Sequence, residues 1–301
     1  MSPHTVKTAH TPDIPPPLHS ALCVVVAGIC AALHIWKLPP ALPGLQADFG
    51  LDLIGSGFLL SIIQLAGMSL GLPIGLMAER IGLRRCILSG LGIIAIASTL
   101  GALFDAITLV LLFRAIEGCG FLMVALPAPP MIRRLVSPAS LSRVMGLWSC
   151  HMPIGTITVL IVGAWVLTLV EWRTLWLLLA ALTAAVLWLV WVMVPSDATH
   201  HQKQQGTLHP ISRPSVWQSV KLTLSTGKVW LVALIFGTYS GQWMAVIGFL
   251  PTIYTSSGVN GATAALLTSL VAGANIAGNL LAGQLLHRNW PAGRLIVTGF
   301  T

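Results

Sequence analysis

Residues 53–103 read LIGSGFLLSIIQLAGMSLGLPIGLMAERIGLRRCILSGLGIIAIASTLGAL. Two apolar runs, 53 to 77 and 86 to 104, flank a short connector whose charged members are Glu79, Arg80, Arg84 and Arg85. A run of about 20 mainly apolar residues is the length that crosses a bilayer as a helix. Neither run alternates polar with apolar, so the unit is a helical hairpin in lipid with its charged turn at one surface.

The rest of the chain repeats this pattern. Of 301 residues, 55% are hydrophobic and 8% charged, against roughly 25% charged in ordinary soluble domains. The mean hydropathy of +0.87 leaves too little polar surface to coat a body in water. A net charge of +8 suggests nucleic acid at first. The cations, however, sit in short connectors between apolar runs, which excludes that class and fits a lipid bilayer as the partner. Five cysteines lie in or beside apolar runs and form neither a disulfide framework nor a metal motif. His200-His201 stands without cysteine or acidic neighbours and reads as linker sequence, so no metal or other cofactor is expected.

Eight spanning helices are predicted at 20–42, 53–77, 86–104, 107–130, 143–169, 173–194, 229–252 and 262–286, with a ninth beginning at Leu295. The fold class is thus all-α and polytopic. The domains follow as a polar N-terminal tail (1–19), a six-helix bundle (20–194), a polar linker (195–228) and the start of a second bundle (229–301). With the N-terminus placed inside, 13 of 16 Lys and Arg residues fall on inner segments. The outer loops hold Asp48, Asp52, Asp105 and Glu171 with Arg173 as their cation. That asymmetry predicts a multi-pass protein of an inner membrane with a cytoplasmic N-terminus.

Sliding the chain by 208 residues places Leu42-Pro43 on Leu250-Pro251 and Gly50 on Gly258. Leu59, Ser61, Ala66, Leu72, Gly75 and Arg80 then fall on Leu267, Ser269, Ala274, Leu280, Gly283 and Arg288 without a gap. The seventh and eighth helices therefore repeat the first and second. A full second copy would need roughly 100 residues beyond Thr301, so the chain reads as about eight and a half helices of a larger bundle.

The connector Gly75-Leu-Met-Ala-Glu79-Arg80-Ile-Gly82-Leu-Arg84-Arg85 resembles the G-x-x-x-D/E-R-x-G-R-R/K loop signature of the major facilitator superfamily. Glu79 stands for the commoner Asp, and Leu83 for one basic position. Arg114-Ala-Ile-Glu117-Gly118-Cys-Gly120 is similar to that family's fourth-helix segment, and Trp172-Arg173 to its W-R pair before the sixth helix. The fifth helix carries Pro153 but departs from the glycine-proline motif of antiporters. In general texture the chain is somewhat similar to the cyanate- and nitrate-related branch. The resemblance implies two six-helix halves, alternating access, and a cavity lined by helices one, four, seven and ten. It also assigns Gly75, Glu79, Arg80, Gly82, Arg84 and Arg85 to a conformational loop.

Charges in hydrocarbon are costly, about 2.5–3.5 kcal/mol for a central Lys or Arg on insertion scales, which makes each a site candidate. Lys37 and Arg114 fall at similar depth, His34 lies three residues before Lys37, and Glu117 three after Arg114, so each pair shares a helix face. These four form one expected polar shell. Tyr239, Gln242 and Trp243 near the centre of helix seven are expected to join it as substrate contacts, with interhelical bonding as the equal alternative. Asn275, Asn279 and Gln64 read as interhelical hydrogen-bonding residues.

Two buried cations and two histidines against one acid favour a small anionic solute, moved by a secondary transporter, with a coupling proton as a further partner. A non-transporting membrane sensor on the same fold, or an inactive fragment, is the rival reading. An enzyme is not indicated, since no H-E-x-x-H, G-x-S-x-G or phosphate-binding glycine loop occurs.

Overall fold

A computed structural model describes residues 18–196 and 216–300. Expectations for the tail before residue 18 and for His200-His201 lie outside the described residues, as do those for the side chains of Gln64 and Glu79.

Every described element is a helix or its connection. The first rod is α1 (Leu18–Trp36) continued by α2 (Leu38–Phe49). Next come α3 (Leu53–Ile81) and α4 (Leu83–Leu103), then α5 (Ile107–Ala125) continued by α6 (Ala128–Leu135). The fifth rod combines α7 (Pro138–Ser149), α8 (His151–Thr158), a π-turn at Val159–Gly163 and the short α9 (Ala164–Val166). The sixth is α10 (Trp172–Met193). After the undescribed segment follow α11 (Val216–Ser225), α12 (Gly227–Ser256), α13 (Gly261–His287) and α14 (Ala292–Phe300). Six stretches among the described residues are long and apolar enough to cross a membrane. The helices α3 and α12, with 29 and 30 residues, occupy the two remaining expected spans.

Two differences from the sequence reading have physical causes. The first rod runs to Phe49 rather than ending near 42, because Pro39 and Pro40 stand in its first turn after a break, where a missing N–H costs little. The expected linker carries the helix α11, whose Trp217 and Leu222 are exposed.

The repeat is visible in backbone geometry. Gly50 and Gly258, 208 residues apart, both adopt left-handed conformations, with φ of 60° and 84°. Two residues on, Asp52 and Asn260 are the N-caps of α3 and α13, accepting from the backbone N–H groups of Gly55 and Thr263. One difference between the copies follows from sequence. Pro39-Pro40 corresponds to Ile247-Gly248, and the rod broken at Lys37 in the first copy is an uninterrupted helix in the second.

Small residues set the packing. A Cβ on Gly90 would stand 2.7 Å from the Gly120 carbonyl oxygen, and one on Gly120 would stand 2.8 Å from that of Gly90, so α4 and α5 cross at backbone contact. The same holds for α7 and α13, where a Cβ on Gly146 would lie 3.0 Å from Gly283 Cα. Between α1, α4, α6, α7 and α10 lies the main apolar core, including Val24, Ala31, Ile87, Leu91, Met131, Trp148 and Val190.

Candidate functional site

The loop signature has a readable structural part. Gly82 closes α3 and opens α4 at φ 103°, a conformation that a side chain would strain. Arg84 donates to the Trp191 carbonyl near the end of α10, and Ser20 Oγ donates to that of Met193 at 2.7 Å. Helix six thus has two of its terminal carbonyls capped from neighbouring helices. At the opposite end the Trp172-Arg173 pair ties three rods together. Trp172 Nε1 donates to Asp48 Oδ2 at 2.8 Å, and Arg173 donates to Asp105 and to the Ala102 carbonyl, each at 2.8 Å.

Pro39 shapes the centre of helix one. A proline has no N–H, so the Ile35 carbonyl one turn earlier loses its helical donor. Arg114 reaches across from α5 to this broken end, with Nη1 donating to the His34 carbonyl at 2.7 Å and Nη2 3.5 Å from that of Ile35. A guanidinium therefore caps a discontinuous helix inside the bundle.

Glu117 ties the two cations together. Its Oε2 accepts from Arg114 at 2.6 Å and its Oε1 from Lys37 Nζ at 2.5 Å. Lys37 has three donors and three partners: Glu117 Oε1, Ser98 Oγ at 2.7 Å and His34 Nδ1 at 3.3 Å. His34, accepting at Nδ1, donates through Nε2 to Thr183 Oγ1 at 2.7 Å, and that hydroxyl donates to the Leu179 carbonyl at 2.8 Å. Ser98 Oγ donates to the Trp176 carbonyl at 3.1 Å, and the Lys37 ammonium stands 3.9 Å from the Trp176 ring centroid.

His34, Lys37, Arg114 and Glu117 are each at most 1% exposed. Lys37 therefore does not extend to the headgroups. The cluster holds two cations against one carboxylate, an excess of one positive charge. It is also rich in donors: Arg114 Nε and the indole N–H of Trp176 are buried and have no acceptor among the described residues.

The structure thus joins four of the seven expected contacts and places the other three elsewhere. Tyr239, Gln242 and Trp243 line an open cavity of about 450 Å³ between α12, α13 and α14, with Val246, Asn275 and Ile296. Trp243 packs against an apolar layer of Leu33, Trp36, Leu175, Leu179, Ile247 and Ala272, which includes two helix-one neighbours of His34. The asparagines bridge helices. Asn275 Nδ2 donates to Tyr239 Oη at 3.1 Å, and Asn279 Nδ2 to the Ser149 carbonyl at 3.1 Å. Ser149 is the residue whose carbonyl Pro153 leaves without its helical donor, so the capping seen at Ile35 recurs in helix five.

Ser98, Thr183 and Trp176 complete the cluster but were not expected in it. A lone hydroxyl or tryptophan in an apolar run carries no signal of its own; the available signal was Pro39-Pro40, which marks a broken helix needing partners.

The Major Facilitator Superfamily model matches residues 24–301. Among curated proteins, the multidrug resistance protein B homolog of Mycobacterium tuberculosis is 26% identical over 180 residues, covering 60% of this chain and 33% of that protein. The Escherichia coli cyanate transport protein CynX is 23% identical over 263 residues, covering 86% of this chain and 65% of CynX. The E. coli inner membrane transport protein YajR is 25% identical over 65% of this chain and 48% of its own length. The chain thus spans between a third and two thirds of these relatives. In fold it is similar to the proton:xylose symporter XylE, with a TM-score of 0.68 and 16% identity over 89% of this chain and 68% of XylE. It is also similar to a bacterial homolog of the lysosomal transporter Spinster, with a TM-score of 0.62 and 16% identity over 91% of this chain and 64% of that one. Helical rods of spanning length, an internal repeat, the glycine-closed arginine loop and the matched model meet in one conclusion: this multi-pass membrane protein belongs to the Major Facilitator Superfamily.

Proposed function

We propose that this protein is part of a secondary transporter that moves a small anionic solute across an inner membrane by alternating access, with the N-terminus cytoplasmic. The observation that carries this reading is the cluster at the break in helix one: two cations share one carboxylate, and further buried N–H groups lack acceptors. An anion supplies what such a centre is short of, negative charge and acceptor oxygens, and cations already in a low-dielectric site lower the cost of desolvating it. Broken helices at membrane mid-depth are where secondary transporters bind their solutes.

In this reading His34, Lys37 and Arg114 attract the anion, while Glu117 holds the cations when the anion is away. Glu117 and His34 are the groups able to take up a coupling proton. Tyr239, Gln242 and Trp243 face the solute from the second half once the layer of Leu33, Trp36 and Ile247 parts. The loop from Gly75 through Glu79, Arg80, Gly82 and Arg84 to Arg85 biases one conformation over the other. The anionic class is favoured by the cluster's charge, and CynX, a relative named for cyanate transport, is in keeping with it.

The test is uptake of small anions into vesicles. Lys37→Ala and Arg114→Ala should each abolish uptake while leaving membrane insertion intact. Unchanged uptake in both variants, or equal transport of a neutral analogue, removes the anion reading. Insertion of all variants with no solute flux under any gradient favours the non-transporting sensor instead.

A further inference from the structure

Where α7 meets α13 at the arginine-rich end of the bundle, Arg143, Leu147, Leu280, Gln284, His287 and Arg288 line an open cavity of about 370 Å³. Gly146 and Gly283, on the same two helices, approach each other closely. No carboxylate lines it, and neither Arg143 nor Arg288 has an ion-pair partner among the described residues. The repeat explains its charge. At the offset of 208 residues the loop acid Glu79 becomes His287, while Arg80 is kept as Arg288. The second copy of the loop has lost its negative member and brings Arg288 to the same cavity as Arg143 of the first half.

The lining is ordered by depth. Leu147 lies one turn along α7 from Arg143, and Leu280 lies eight residues from Arg288, about 12 Å along the helix. A cationic rim above an apolar floor matches an amphiphile better than a free ion.

We propose that this cavity seats the phosphate headgroup of an anionic phospholipid, held between Arg143 of the first half and Arg288 of the second, with its chains against Leu147 and Leu280. The lipid offsets the repulsion of like charges across the seam and so holds the two halves in the arrangement seen here. The site rests on the membrane fold and is independent of the transported solute.

The experiment uses the purified chain in dodecyl maltoside, with melting followed by tryptophan fluorescence. Phosphatidylglycerol near a hundredfold excess over its dissociation constant should raise the midpoint by about 5 °C relative to phosphatidylcholine. The Arg143→Gln/Arg288→Gln variant should lose that difference. Arg143→Glu, which puts an acid opposite Arg288, should melt higher than the parent in phosphatidylcholine and should no longer respond to phosphatidylglycerol. It carries the test if the double variant does not fold. An undiminished phosphatidylglycerol response in Arg143→Glu overturns the proposal. So does a full response to inorganic phosphate at matched ionic strength, which would make the cavity a free-anion site.

Discussion

Glu117→Gln isolates the group on which the buried cluster depends. The carboxylate is 1% exposed and accepts one charge-assisted hydrogen bond from Lys37 and one from Arg114. An amide preserves volume but removes the charge, so the formal net charge of the buried cluster rises from +1 to +2. Removing one partner of a buried ion pair costs about 3–5 kcal/mol, because the remaining charge is left uncompensated. At about 2–4 °C per kcal/mol the melting midpoint should fall by about 6–20 °C. The 11 tryptophans provide the signal. Adding Lys37→Met to Glu117→Gln returns the net charge to +1 and should recover more than half of the loss, a non-additivity that a double-mutant cycle reads directly. A midpoint for Glu117→Gln within about 1 °C of the parent would refute the shared counter-ion. Strictly additive losses in the double variant would refute it equally.

Three further outcomes follow from the packing and the helix breaks. Gly90→Ala drives a methyl group to 2.7 Å from the Gly120 carbonyl and should cost about 1–3 kcal/mol, whereas Gly71→Ala, with nothing within 4 Å, should stabilise by about 0.4–1 kcal/mol; thermal melts of the pair compare them. Asn279→Leu strands the Ser149 carbonyl and should cost about 0.6 kcal/mol, up to about 1.7, read from denaturant titration in micelles. Pro39→Ala/Pro40→Ala restores backbone donors to helix one and should leave the melting midpoint equal or higher while slowing uptake; full uptake would show that the break is not used.

The sequence reading reached the fold because its signals were long and redundant. Eight apolar runs, arginines concentrated in alternate connectors, and matched Pro, Gly and Arg at one offset each impose the same topology. At the site, the sequence pointed to some of the residues that the structure brings together and not to others. His34, Lys37, Arg114 and Glu117 were legible because charge in hydrocarbon is rare and i, i+3 spacing fixes a common face. Depth along a helix says nothing about azimuth, however. Tyr239, Gln242 and Trp243 sit near the expected level, yet Trp243 packs against the apolar layer beside Leu33 and Trp36 rather than entering the cluster. Ser98 and Thr183 were invisible, since a hydroxyl can also satisfy itself on its own helix, as Thr183 does with the Leu179 carbonyl.

The two copies of the repeat divide the work unequally, and two prolines are enough to start the division. Both copies open with a rod that ends at a left-handed glycine and passes to a capped helix, so the backbone plan is shared. Pro39-Pro40 breaks the first rod and strips the Ile35 carbonyl of its helical donor. A bare carbonyl in a low-dielectric interior calls for a donor, and Arg114 is long enough to supply one from α5. A guanidinium there in turn requires a carboxylate, which Glu117 provides one turn away, and the second cation, Lys37, lies at the break itself. The second copy has Ile247-Gly248 at those positions, an unbroken helix, and neutral Tyr239, Gln242 and Asn275 along its cavity. Charge therefore gathers in the half whose backbone was interrupted, while the cavity of the second copy is lined by hydrogen-bonding groups without formal charge.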